Sequence, residues 1–127
     1  MEYLTRDPID LEGWHRQTVH ATDGASVEFL GIVRGDDQGR PVEYLEYEAY
    51  EPMAEQTIAA LIEGAKKKWS LHRVYVCHRL GRVNAGEVSV AIGVQTPHRE
   101  EAFEACRFLI DTIKKEVPIW KTEKLLV

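Results

Sequence analysis

The chain has 127 residues, 44% hydrophobic and 29% charged, which predicts one soluble globular domain over residues 1–127, large enough to bury a real core. Its net charge of −5 is unevenly spread: residues 1–63 hold 4 Lys and Arg against 14 Asp and Glu, and residues 64–127 hold 12 against 7. The acidic half would repel phosphates, so a nucleic-acid binder is excluded, while a local basic pocket for a small anion stays open. No apolar run approaches the length of a membrane span, and residues 1–10 lack a basic–apolar leader pattern, so no membrane association and a cytoplasmic location are expected. Cys77 and Cys106 stand alone within apolar patterns, which predicts inert buried thiols.

Asp7-Pro8 reads as a cap followed by a first-turn proline, opening a short helix to about residue 17. Thr22-Asp23-Gly24 is a turn. Residues 25–34 are rich in β-branched and aromatic side chains and predict a strand, with Gly31 marking a bulge or a close backbone approach. Residues 35–41 form a loop long enough to move, suited to a lid or a partner contact, before an antiparallel strand at 42–50. Glu51-Pro52 opens a helix with Ile58, Leu61, Ile62, Ala65 and Trp69 on one face, and Lys66, Lys67 and Lys68 sit at its end, where the helix dipole favours cations. A strand at 72–79, a turn at 80–86 and a strand at 87–95 that alternates Val88, Val90, Ile92 and Val94 follow.

The last helix organises the chain. Thr96 reads as its N-cap, Pro97 as its first position, and Val117-Pro118 as its end. Ala102, Phe103, Cys106, Leu109, Ile110 and Ile113 form its apolar stripe. His98 and Arg99 in the first turn oppose the dipole, but together with free backbone N–H groups they make an anion site. Lys114 and Lys115 suit the C-terminal end of the dipole; Lys121, beyond the proline break and beside Trp120, has no such account. Residues 119–127 add a short edge strand or tail. The order α-β-β-α-β-β-α predicts an α+β fold, helices packed on a largely antiparallel sheet.

Several chemistries drop out. There is no Gly-rich nucleotide loop, no nucleophile elbow and no cysteine placed as a nucleophile. The five histidines form no i, i+4 pair with a third ligand, so no metal site is expected, and His78 within a strand reads as a satisfied structural residue. What remains is lysine, arginine, histidine and backbone amides. Neighbouring ammonium groups repel one another, which is one route to a lysine general acid or base. Arg34, closing a glycine-containing strand, is either a bidentate phosphate clamp or a solvated edge residue.

Four motifs then weigh together: F-L-G-I-V-R at 29–34, H-R-L-G at 78–81, T-P-H-R-E-E-A-F-E-A at 96–105 and P-I-W-K-T-E at 118–123. In this order, and over about residues 7–124, the chain resembles the large, catalytic subunit of molybdopterin synthase. The resemblance implies an α/β-hammerhead fold and a homodimer flanked by two copies of a small ubiquitin-like sulfur carrier ending in Gly-Gly, a heterotetramer. It implies conversion of cyclic pyranopterin monophosphate to molybdopterin by two sulfur insertions that build a dithiolene. Sulfur would arrive as the carrier's thiocarboxylate, so no cofactor, metal or cysteine is implied on this chain.

Residue by residue, the resemblance makes Lys121 and Lys114 catalytic. It makes Arg34, His98 and Arg99 substrate- and phosphate-binding, with Ile32 and Val33 beside Arg34, and Thr122 and Glu123 continuing the pocket after Lys121. Phe29 matches a residue lining the approach of the carrier's tail. Gly35 and Thr122 depart from residues often polar or basic in relatives, and relatives often continue past the Trp-Lys motif into a longer basic tail, whereas this sequence ends at Val127. The alternative is a non-catalytic dimeric anion-binding or partner-docking module of the same fold; both lysine positions being filled argues against it.

Overall fold

A strand that alternates Val88, Val90, Ile92 and Val94 is made to lie in a sheet with a buried face, and these residues form β7 (Val88–Thr96). The computed structural model describes residues 1–126. Antiparallel neighbours of β7 are β2 (Ala25–Ile32) and β5 (Arg73–Arg79), and β1 (Leu4–Thr5) adds parallel to β5, giving the order β1-β5-β7-β2. Two long helices, α2 (Glu51–Lys68) and α3 (Arg99–Glu116), bury Ile58, Ile62, Leu109 and Ile113 in one core with Val90, Ile92 and Val94. The short α1 (Glu12–Arg16) carries the buried Trp14, whose ring lies 5.7 Å from that of Tyr75 and under the Arg73 guanidinium. Glu55 of α2 accepts the backbone N–H groups of Tyr3 and Leu4 at 3.0 and 2.9 Å, so the start of the edge strand is satisfied by a side chain rather than by another strand.

A second sheet is built around β4 (Arg40–Ala49), which pairs antiparallel with β6 (Gly81–Asn84) and β8 (Ile119–Leu125) and forms a hairpin with β3 (Asp36–Asp37). Val33, Val42, Leu45 and Val83 make its own small core. Among the described residues no helix is long and apolar enough to cross a membrane.

Several boundaries differ from the sequence expectation, each for a local reason. The first helix begins at Glu12, not Asp7: the Asp7 N–H is taken by Thr5 Oγ1 at 3.1 Å and the chain turns there. Residues 35–41 are not an open loop between paired strands. They form a tight hairpin, and the strands on either side lie in different sheets. The expected turn at 80–86 is largely strand, because Gly81, at φ 83°, swings the chain out of the first sheet and onto β4. Thr96 stays in β7, paired with Ala25, so His98 becomes the N-cap position of α3; the Thr96 hydroxyl donates to the His98 carbonyl at 2.6 Å instead of accepting a helix N–H. Phe103 points outward, 62% exposed, and Ala105 takes its place in the buried stripe. Cys106 is buried and Cys77 half-buried, both unpaired, and burial pushes both thiols above their ordinary range. The final strand runs to Leu125; Val127 lies outside the described residues.

Candidate functional site

The site begins with a bulge. Pairing between β2 and β7 slips between Gly31 and Ile32, and a Cβ on Gly31 would come within 2.6 Å of Val90 Cγ1, so glycine is what lets the strand lie this close and kink. Beyond the kink the chain leaves the first sheet. Val33 drops into the small core, 3% exposed, while Ile32 and Arg34 stay exposed on either side of it. The Val33 N–H donates to the Glu87 carbonyl at 3.0 Å, and the Gly86 N–H donates to the Val33 carbonyl at 2.8 Å, which fixes this short bridge.

From the other side, Val117-Pro118 ends α3 and sends β8 back along β4. Lys114 sits in the last turn of the helix, and Lys121 lies opposite Tyr47 in the ladder. These pieces enclose a hollow of about 500 Å³ between the two sheets, lined by Ile32, Val33, Arg34, Lys114, Lys121 and Glu123. That volume lies in the range of small-molecule sites.

Its charge is divided. Arg34, Lys114 and Lys121 supply cations, whereas Asp36, Asp37 and Glu123 line one rim. Arg40 bridges Asp37 at 2.7 Å and Glu123 at 3.7 Å, offsetting part of that acidity. A hydrogen bond with Glu123, then Arg40, holds the Asp37 carboxyl below the usual carboxylate range. Glu123 is therefore engaged within the chain, and the cationic side is the one left for an anion.

His78 also faces this space. Its Nδ1 lies 2.8 Å from the Arg79 carbonyl, which assigns the proton to Nδ1 and leaves Nε2 with its lone pair; its ring meets Tyr47 edge-on at 4.9 Å. The structural reading made from sequence holds for Nδ1 but overlooked the hollow, which only the approach of α3 and β8 creates. Burial lowers the His78 pKa from 6.5, partly opposed by the Arg79 carbonyl and reinforced by the charge of Lys114. A depressed imidazole pKa means the unfolded chain binds its proton first as pH falls. The contribution of His78 to stability is thus complete above the free-imidazole value, and is lost as pH drops from there toward the folded-state pKa. The drop in Tm between about pH 7.5 and about pH 5.5 should be smaller in His78→Gln than in the parent chain, measured by thermal unfolding in matched buffers.

Four expected site residues fall elsewhere in the single chain. Phe29 packs against the main core, and strand alternation turns Thr122, paired with Glu46, to the face opposite Lys121 and Glu123. His98 and Arg99 line a separate depression with Gly24, Pro97, Glu100 and Glu101. Lys114 lies sixteen positions beyond His98, about 24 Å along the axis of α3, so both ends of this helix cannot face one hollow in one protomer.

Fold and hollow together define an α+β protein whose two sheets frame a small-molecule hollow presenting Arg34, Lys114 and Lys121. The chain superimposes on molybdopterin synthase from Staphylococcus aureus with a TM-score of 0.91 at 38% identity, covering 98% of this chain and 90% of that one. It shares its fold with a chain of the Helicobacter pylori complex of subunits 1 and 2 of molybdopterin-converting factor, with a TM-score of 0.81 at 23% identity over 98% and 87% of the two chains. The molybdopterin synthase catalytic subunit of Thermoplasma volcanium is 55% identical over 119 residues, 94% of this chain and 85% of that one. The sequence model of the MoaE protein family matches residues 4–116, and the chain belongs to this family of molybdopterin synthase catalytic subunits, sulfur-transferring enzymes.

Proposed function

We propose that the hollow binds cyclic pyranopterin monophosphate and that the chain converts it to molybdopterin by two sulfur transfers. The observation that carries this reading is the convergence of Arg34, Lys114 and Lys121 on one space from three different elements. Arg34 has the planar fork that suits a phosphate. Lys121 acts as acid–base catalyst on the pterin, and Lys114 positions and polarises the substrate or the acyl intermediate.

Sulfur comes from a small ubiquitin-like carrier whose C-terminal Gly-Gly thiocarboxylate enters the hollow as an extended tail, past the exposed Ile32 at its lip. Each transfer leaves a carboxylate on the carrier, with water supplying the oxygen. A homodimer within a heterotetramer gives His98 and Arg99 their place: the helix N-terminus of one copy would supply them to the phosphate end of its partner's hollow. The cytoplasm is the compartment, and two unpaired thiols suit its reducing conditions.

The test combines the purified chain with thiocarboxylated carrier and cyclic pyranopterin monophosphate and measures dithiolene product. Two thiocarboxylates should be consumed per molybdopterin formed. Tight binding of both components with no product would overturn the catalytic reading and leave a docking module.

A further inference from the structure

Three residues far apart in sequence meet at a place the catalytic reading does not use. His20, Asp23 and His72 each offer one ligand atom, and these atoms all lie within 4.8 Å of one another. The loop between α1 and β2 carries the first two, and His72 directly precedes β5. Backbone hydrogen bonds fix all three: the Asp23 N–H donates to the His20 carbonyl at 2.9 Å, the Gly24 N–H to the Thr96 and Pro97 carbonyls at 3.1 Å, and the His72 N–H to the Gln95 carbonyl at 3.1 Å.

The side chains are arranged unusually for a surface loop. The two imidazoles stack with centroids 4.2 Å apart and planes 21° from parallel. Asp23 has a side chain 0% exposed; its Oδ1 accepts from His72 Nδ1, but its Oδ2 is buried and no protein group among the described residues donates to it. A buried carboxylate oxygen without a donor is costly, and a cation is the partner that suits it best. Thr22 holds the His20 ring by Nδ1, with its hydroxyl at 2.8 Å and its N–H at 3.2 Å, which leaves Nε2 open.

We infer that His20, Asp23 and His72 form a binding site for one divalent ion of the zinc class. Two imidazoles and one carboxylate are the donor set that such ions accept, with a fourth position left to water; calcium and magnesium prefer oxygen ligands throughout. His72 is 33% exposed at its side chain, so an ion can enter from solvent. Coordination would replace the Asp23–His72 hydrogen bond and satisfy Oδ2. None of the three residues lines the hollow that holds Lys114 and Lys121, so the ion would tie the loop carrying His20 and Asp23 to the start of β5 without taking part in sulfur transfer.

The experiment uses the tag-free full chain, stripped with a chelator and titrated with Zn²⁺ by calorimetry, with Co²⁺ absorption reporting the ligand field. One saturable site per chain is expected, together with a rise in Tm on Zn²⁺ addition. His20→Ala and His72→Ala, each checked for folding by circular dichroism, should weaken Zn²⁺ binding about 10-fold or more. His15→Ala, which removes a histidine paired with Glu28 outside the cluster, should leave it unchanged. Absence of a stoichiometric site, or equal weakening by His15→Ala, would overturn the assignment; so would unaltered binding in a folded His20→Ala chain.

Discussion

Replacing Lys121 by alanine is expected to cut molybdopterin formation by about 10²–10⁴-fold while leaving the fold intact, the range lost with a positioned general acid or base. The structural half of this expectation follows from where Lys121 sits. Its residue is exposed on β8, and its ammonium makes no hydrogen bond or ion pair among the described residues. The backbone pairing with Tyr47 persists in the variant, so the change in stability should stay within about 0.5 kcal/mol.

The catalytic half follows from the company Lys121 keeps. It shares the hollow with Arg34 and Lys114, and among these only lysine can both carry a charge and give up a proton. Lys121→Arg is the informative companion. It retains charge and length but cannot act as an acid–base group, so binding should largely survive and kcat should not. Steady-state kinetics with thiocarboxylated carrier separates the two effects, and near-normal turnover in Lys121→Ala would remove Lys121 from the mechanism.

How much of this was legible in the sequence depended on how local the cause was. The strand-forming alternation around Val90, the proline stop after Val117 and the bulge at Gly31 each arise from a few adjacent residues, and each was read correctly. Where pairing with a distant strand decides, local signals failed. Thr96-Pro97 has the chemistry of a helix start, yet Thr96 is held in β7 by Ala25, more than 70 positions away. Residues 81–84 look like a turn and become strand only because β4 is there to receive them.

The candidate site shows the same division. Motif resemblance placed Ile32, Val33, Arg34, Lys114, Lys121 and Glu123 together, and they do share one hollow. It also joined His98 and Arg99 to them counting both protomers of a homodimer; within one chain the length of α3 keeps them apart from Lys114. Alternation along β8 separates Thr122 from its neighbours. The H-R-L-G motif and the 35–41 segment drew attention to the stretches that hold His78, Asp36 and Asp37, but nothing local in them indicates that α3 and β8 will close over these side chains to form a hollow.

Leu109→Ala should destabilise the chain by about 2–5 kcal/mol, which for a chain of 127 residues lowers Tm by roughly 7–19 °C. Leu109 is 0% exposed in the middle of α3, within the core shared by α2 and the first sheet, so truncation leaves a cavity that packed neighbours on every side cannot easily fill. Leu109→Met, which keeps volume and adapts its shape, should cost less than about 1.5 kcal/mol. Urea unfolding of the three proteins distinguishes these outcomes through the midpoint at constant m. The consequence reaches the site, because Lys114 stands five residues further along the same helix and Lys121 follows its end. A loosened α3 no longer holds both ammonium groups at fixed positions around one substrate, so at temperatures where Leu109→Ala is still folded its turnover should fall more than that of Leu109→Met. Equal activity in the two folded variants would mean that β4 alone, through its ladder with β8, sets the position of Lys121 and that the helix contributes only Lys114.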